Sequence, residues 1–266
     1  MTLSAAAAGR NAWSHDELDD PIAEDILTPT GFLHAVHATM RLARISNSVL
    51  APVCKSWTRI NMFSSGRRKN NPSGNLQSAR VVTANLMISR VCVLLWIQSS
   101  RGCFTLLENP VGSLLEKYYR VDEWIEKFGV NRFMVDLWDF GNDHSKKLWL
   151  YSPYEWAKDI LKFKKHRRKD KREASKKYQL SHNWVNKNGK KVFKGGKDLE
   201  TSQAYPKGFG DAIQETFKLH RADIEKHVAN LEKTAEELDM SSMPQFAPVE
   251  DHWEDAKLSE VLQLLM

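Results

Sequence analysis

Two apolar runs, Ser48–Val53 and Cys103–Leu107, flank a stretch from Gln77 to Ser100 in which Val81, Val82, Ala84, Leu86, Val91, Leu94 and Leu95 give one broad buried face at helical spacing. A strand, a long helix and a second strand form the unit that lays two strands parallel, because parallel neighbours need a crossover of a dozen or more residues. Gly102 ends the helix. Upstream, Thr28-Pro29-Thr30-Gly31 supplies a capping oxygen and an early proline for a helix carrying Phe32, Leu33, Val36, Met40 and Ala43 on one face. Helical patterns follow at Ser113–Tyr118 and Val121–Phe128. Phe133–Trp138 and Leu148–Tyr151 then read as strand, turn, strand, and a helix from Tyr154 to Phe163 covers them. This alternation predicts an α/β fold, a mostly parallel sheet with an antiparallel edge pair.

Charge divides the rest of the chain. The net charge of +6 hides 16 Lys/Arg against 4 Asp/Glu in residues 162–210, followed by 5 against 13 in residues 211–266. A basic block before an acidic one points to a polyanion partner or to the two segments pairing with each other. The expected organisation is a flexible lead-in (1–27), an α/β domain (28–161), a basic insertion (162–210) and an acidic helical tail (211–266). Asn186-Lys187-Asn188-Gly189-Lys190 reads as a turn within the basic block. Three cysteines without framework spacing argue against a disulfide-stapled secreted domain and for a reducing, intracellular compartment, nuclear or cytoplasmic. No metal site is predicted, since the nine histidines are scattered and neither Cys-x-x-Cys nor His-Glu-x-x-His occurs. The best membrane candidate, Val91–Ile97, is far short of the roughly 20 residues a span needs, so no membrane partner is expected.

Two residues stand where an open α/β sheet does its chemistry, just past the carboxyl ends of strands. Cys54 follows the first run and Glu108 the second. Cys54 reads either as a nucleophile or as a small core residue, the commoner fate of a cysteine. Glu108, directly after Leu106-Leu107, faces a crevice or is paired, because burying a carboxylate alone is costly. Asn109 and Pro110 suit a following turn. Trp57, Trp138 and Trp149 fit packing better than base stacking. The polar loop from Lys55 to Asn75 carries Arg59, Arg67, Arg68 and Lys69, which would meet phosphates or simply be solvated. The run Lys164, Lys165, Arg167, Arg168, Lys169, Lys171 and Arg172 is dense enough for salt-sensitive nucleic-acid affinity, or for a solvated helix. Gly195-Gly196-Lys197 lacks the spacing of a phosphate loop.

The order of these segments resembles a family. Strand-Pro-x-Cys (Pro52, Cys54), strand-Glu-Asn-Pro (Glu108–Pro110) and Phe140-Gly141 before a basic pair and Leu148-Trp149-Leu150 are similar to the central part of DNA cytosine-C5 methyltransferases. Asp25–Phe32 and Gln203-Ala204-Tyr205-Pro206 look like segments of their eukaryotic relatives. The resemblance implies a Rossmann-like sheet, incomplete at its N-terminal side, with S-adenosylmethionine as cofactor and nucleic acid as substrate. It gives Cys54 the role of adding to a pyrimidine ring and Glu108 that of holding the base edge. It leaves substrate contacts to Asn109, Arg59, Arg67, Arg68, Lys146 and Lys147. Val53 separates Pro52 from the cysteine, Ser145-Lys146-Lys147 replaces a glutamine and two arginines, and no Gly-rich turn precedes the first strand. The expectation is therefore a truncated or degenerate methyltransferase-like domain, without turnover if the cofactor turn is missing. The alternatives are a non-enzymatic nucleic-acid-binding protein and an interaction scaffold whose protein partner is unknown.

Overall fold

The computed structural model describes residues 2–237 except 8, 10, 13, 16–19, 22, 59, 60, 144, 166–180, 186–188, 190 and 196–203. In chain order the elements are α1 (Thr2–Ala7), α2 (Pro29–Arg41), β1 (Asn47–Leu50), α3 (Met62–Ser65), α4 (Ala79–Ser100), β2 (Phe104–Pro110), α5 (Tyr119–Lys127), β3 (Asn131–Asp136), β4 (Lys147–Ser152), β5 (Ser181–Val185), β6 (Lys191–Gly195), α6 (Lys207–Leu219) and α7 (Arg221–Glu237). Single 3-10 stretches occupy Leu115–Lys117, Leu137–Phe140 and Glu155–Phe163.

The local chemistry read from the sequence sets several boundaries. Thr28 caps α2, its Oγ1 accepting from the Gly31 amide at 2.9 Å, with Pro29 at the first helical position. Gly31 has no room for a side chain, since a Cβ there would stand 2.0 Å from the Asp25 carbonyl oxygen. Gly102 stops α4 in the left-handed region (φ 72°), where a Cβ would meet Val228 at 2.8 Å. β1 ends at Leu50, earlier than the apolar run suggests, because Pro52 has no amide to give the ladder. β2 runs on through Glu108 and Asn109 to Pro110.

The main sheet has the order β1-β2-β4-β3. β1 pairs parallel with β2 (Leu50 opposite Leu107), across the crossover made by α4. β4 pairs antiparallel with both β2 (Leu150 opposite Glu108) and β3 (Leu148 opposite Val135). The fold is thus α/β with a mixed sheet, and the expectation of a mostly parallel ladder is corrected: one pair is parallel and two are antiparallel. The reversed strand is interior, because β4 turns back from β3 and inserts beside β2 instead of standing at the edge. β1, β2 and β3 still run in one direction, so their carboxyl ends and the start of β4 share one edge of the sheet. β5 and β6 pair antiparallel as a separate two-stranded sheet, with Val185 opposite Lys191; the turn expected at Asn186–Lys190 falls, apart from Gly189, outside the described residues.

Alternation along β2 divides the core in two. Leu107 and its neighbours Tyr151 and Trp149 face α4 and α5, through Ile88, Cys92, Leu95, Val121 and Trp124. Phe104, Leu106, Leu148 and Leu150 face Phe209, Ala212, Ile213 and Phe217 of α6, with Ala157 and Ile160 beside them and Ile224 and Val228 of α7 behind. The acidic tail expected from residue 211 is therefore corrected for its first part. The averaged charge of that segment hides an apolar stripe at Phe209, Ile213 and Phe217, four residues apart, and α6 is a layer of the fold. Residues 238–266 lie outside the described residues. The lead-in is also held: Arg90 Nη1 donates to the carbonyls of Ile26 (2.7 Å) and Thr28 (3.0 Å), and Ser4 Oγ to that of Lys207 (3.4 Å). Helix α4 is long and apolar enough to cross a membrane by length and composition alone, yet half of that stretch is buried within the fold as the crossover.

Candidate functional site

Cys54 sits in a turn just beyond β1, where the Trp57 amide donates to its carbonyl at 2.9 Å. The thiol is half-buried and free. Burial pushes its pKa up, the neighbouring Glu108 carboxylate pushes it further, and the Lys146 ammonium pulls part of the way back. Those influences bring three residues from β1, β2 and the entrance to β4 within electrostatic reach of one another at the shared carboxyl edge.

Glu108 is the centre of this group. It is 4 % exposed, on the α6 face of β2. Its Oε2 accepts from the Tyr205 hydroxyl at 2.8 Å, while its Oε1 is buried with no hydrogen-bond partner among the described residues. Burial holds the carboxyl above the usual range, with Tyr205 and Lys146 opposing. The Lys146 ammonium also lies 5.2 Å from the centre of the Tyr205 ring. A carboxyl with a raised pKa keeps its proton to higher pH than a free one, and in its protonated form it can donate as well as accept. The thiol at rest is a poor nucleophile, since its pKa is raised rather than lowered.

The other expected site residues divide. Asn109 is 0 % exposed and points to the opposite, α4 side of the sheet, because neighbours along a strand alternate; among the described residues neither of its amide atoms has a partner. It does not join Glu108 at the edge. Arg67 is corrected outright. It is 0 % exposed, with its guanidinium carbon 3.4 Å over the Trp57 ring, donating to the Pro72 carbonyl, to Ser56 Oγ (3.1 Å) and to the Val81 carbonyl (3.5 Å). It ties the loop after Cys54 to α4 and offers nothing to a phosphate. Trp57 is buried as a core residue.

Arg68 and Lys69 are exposed at the tip of that loop, where Arg68 and Asn71 exchange backbone hydrogen bonds of 3.0 Å. Lys147 is exposed at the start of β4, and Ser145 Oγ donates to Asp136 Oδ2 at 2.6 Å, closing the turn before it. Lys164 pairs with Asp139 (2.9 Å) and Lys165 with Asp211 (3.7 Å), so the described beginning of the basic run is partly neutralised. Arg59, Arg167, Arg168, Lys169, Lys171 and Arg172 lie outside the described residues. Cys92 and Cys103 are buried in the core.

Tyr205 was legible only as part of Gln203–Pro206. An aromatic residue before a proline that starts a helix carries no sign of which carboxylate it will meet. The residues present do not fit an S-adenosylmethionine site. Among the described residues no Gly-x-Gly-x-x-Gly turn joins a strand to a helix, and Gly31 and Gly74 are spent on close approaches to the Asp25 and Ser65 carbonyls. An open cleft of about 260 Å³ lies elsewhere, between Glu116, Asp122, Arg132 and Tyr151. Comparison of the chain with protein-family models, with curated proteins and with solved structures gives no match.

Proposed function

We propose that this chain is a methyltransferase-like domain of Rossmann-like ancestry that engages nucleic acid at the shared edge of β1, β2 and β4. One observation carries the reading: a thiol, a buried carboxyl with a raised pKa and one oxygen unpartnered among the described residues, and an ammonium converge at strand carboxyl ends. A pyrimidine turned out of its stack would meet there a sulfur able to add to ring carbon 6 and an acid able to hold the ring edge as charge builds up. The exposed cations Lys55, next to Cys54, and Lys147, at the start of β4, with Arg68 and Lys69 exposed on the loop that follows Cys54, would bind phosphates, which positions a strand without reading its sequence.

A second reading, nucleic-acid binding without chemistry, is favoured by two features of the same site. The Cys54 thiol is raised toward its neutral form, and Tyr205 already occupies one oxygen of Glu108. Hydrogen exchange separates the two. When the Cys54 thiolate bonds to carbon 6 of cytosine, the electron pair of the 5,6 double bond becomes available at carbon 5, which takes a deuteron from heavy water. Loss of the original carbon 5 proton and breaking of the sulfur–carbon bond then restore ring and thiolate.

Wild-type protein is expected to exchange the carbon 5 hydrogen of a cytosine-containing single-stranded oligonucleotide, and C54A is not. Oligonucleotide binding should weaken with salt, and the slope should be shallower in R68A/K69A/K147A by about 0.7 for each phosphate that the variant no longer neutralises. Binding without exchange selects the non-enzymatic reading. No binding at all contradicts both.

A further inference from the structure

Three side chains scattered in the sequence, His15, Glu24 and His34, come together where the N-terminal stretch folds onto α2. One potential ligand atom of each lies within 4.8 Å of the other two. The backbone at two of them is held by local hydrogen bonds. Glu24 follows a turn in which the Ala23 amide donates to Asp20 Oδ1 (3.0 Å) and its own amide to the Asp20 carbonyl (2.8 Å). His34 lies on α2 behind the Thr28 cap. The ring of His15 stands edge-on to that of His34, with centroids 6.0 Å apart, and both nitrogens of His15 are screened from solvent.

The tautomer of His34 is set by its neighbour. Nδ1 is 3.0 Å from the Ala23 carbonyl oxygen, which can only accept, so Nδ1 carries the hydrogen and Nε2 is the basic nitrogen. A ring nitrogen anchored on a carbonyl while the other stays basic is the outer-shell arrangement of metal-binding histidines.

We propose that His15, Glu24 and His34 bind a divalent transition-metal ion, Zn²⁺ being the best match, and that the ion staples the N-terminal stretch to α2. Two imidazoles and one carboxylate are a donor set zinc accepts with a fourth position left to water, whereas magnesium and calcium ask for oxygen-rich shells. With zinc bonds of about 2.0–2.2 Å, tetrahedral ligand atoms sit roughly 3.4 Å apart. From ligand atoms within 4.8 Å of one another, reaching that value takes an approach of about 1.4 Å at most. The three ligands come from three backbone segments, so their positions follow no zinc motif and the sequence shows no site.

Full-length protein stripped with a chelator and titrated with Zn²⁺ against a chromophoric competitor tests this. One ion per chain is expected, with affinity at least about tenfold lower in H34A and in E24Q, the low end of what loss of even an outer partner costs. H37A is the control, because His37 is exposed on the same helix and outside the cluster. X-ray absorption of the zinc-loaded wild type, which depends on no variant, should show only nitrogen and oxygen neighbours including two imidazoles. Absence of binding, equal affinity in wild type, H34A and E24Q, or sulfur in the zinc shell overturns the proposal.

Discussion

Replacing Arg67 by methionine is expected to cost the fold about 3 kcal/mol, read from the urea midpoint. The guanidinium is sealed from solvent, stacked on Trp57 and donating to Ser56 Oγ and to the Pro72 and Val81 carbonyls. Trp57 in turn meets Tyr118 edge-on at 5.2 Å, so the arginine links the loop after Cys54 to the α4 side of the core. Burial lowers its pKa to about 10, which still leaves it charged at neutral pH. Methionine fills much of the volume but orphans acceptors, each worth roughly 1–3 kcal/mol when left buried and unpaired. R67K should recover little, because an ammonium lacks the planar fork and stacks less well. An R67M protein with an unchanged midpoint and weaker oligonucleotide binding would restore the phosphate-gripping role that the loop's composition suggests.

Glu108→Gln is expected to remove a pH dependence of stability, with the larger effect at the alkaline end. Burial raises the folded pKa of Glu108 above the unfolded value of about 4.3. The folded protein therefore keeps a proton that the unfolded chain releases. The stability tied to that proton is fully present below about pH 4.3, declines as pH rises toward the elevated folded value, and is gone above it. E108Q lacks this titration, so its urea midpoint should stay flat across the window and exceed that of wild type at the alkaline end. Y205F acts in the opposite sense. It leaves Oε2 unpartnered, which costs about 1–3 kcal/mol, and lets the Glu108 pKa climb further, so its deficit should grow with pH. Parallel midpoint curves for wild type and E108Q would mean that Glu108 is not the buried, shifted acid described above.

The parts of the fold that were legible are those fixed by neighbours in sequence. The Thr28 cap, helix α4 with its Gly102 stop, and the strand pair β3 and β4 each follow from a period or a capping rule acting over a few residues. Glu108 was legible in the form of a choice, crevice or partner: one oxygen has Tyr205 as its partner, and the other is buried with no partner among the described residues. Position in the sheet was not legible: nothing local says that β4 inserts between β2 and β3, because that is decided by which edge buries more apolar surface. The loop arginines show the same limit. Four basic residues in one polar loop look alike in sequence, and only packing against Trp57 turns Arg67 inward while Arg68 stays out. Tyr205 lies 97 residues from Glu108, too far for any local pattern to pair them.

The claim on which the functional reading stands is that Cys54, Glu108 and Lys146 share one site. The rate at which Cys54 is alkylated by iodoacetamide, followed on its own peptide by mass spectrometry in wild type, E108Q and K146M, tests it directly. Thiolate fraction changes about tenfold per pKa unit, so even a modest change in local charge is readable. Removing the Glu108 carboxylate should lower the thiol pKa and speed the reaction, and removing the Lys146 ammonium should raise it and slow the reaction. Equal rates in all three proteins would put the sulfur beyond the reach of both partners and contradict the shared site.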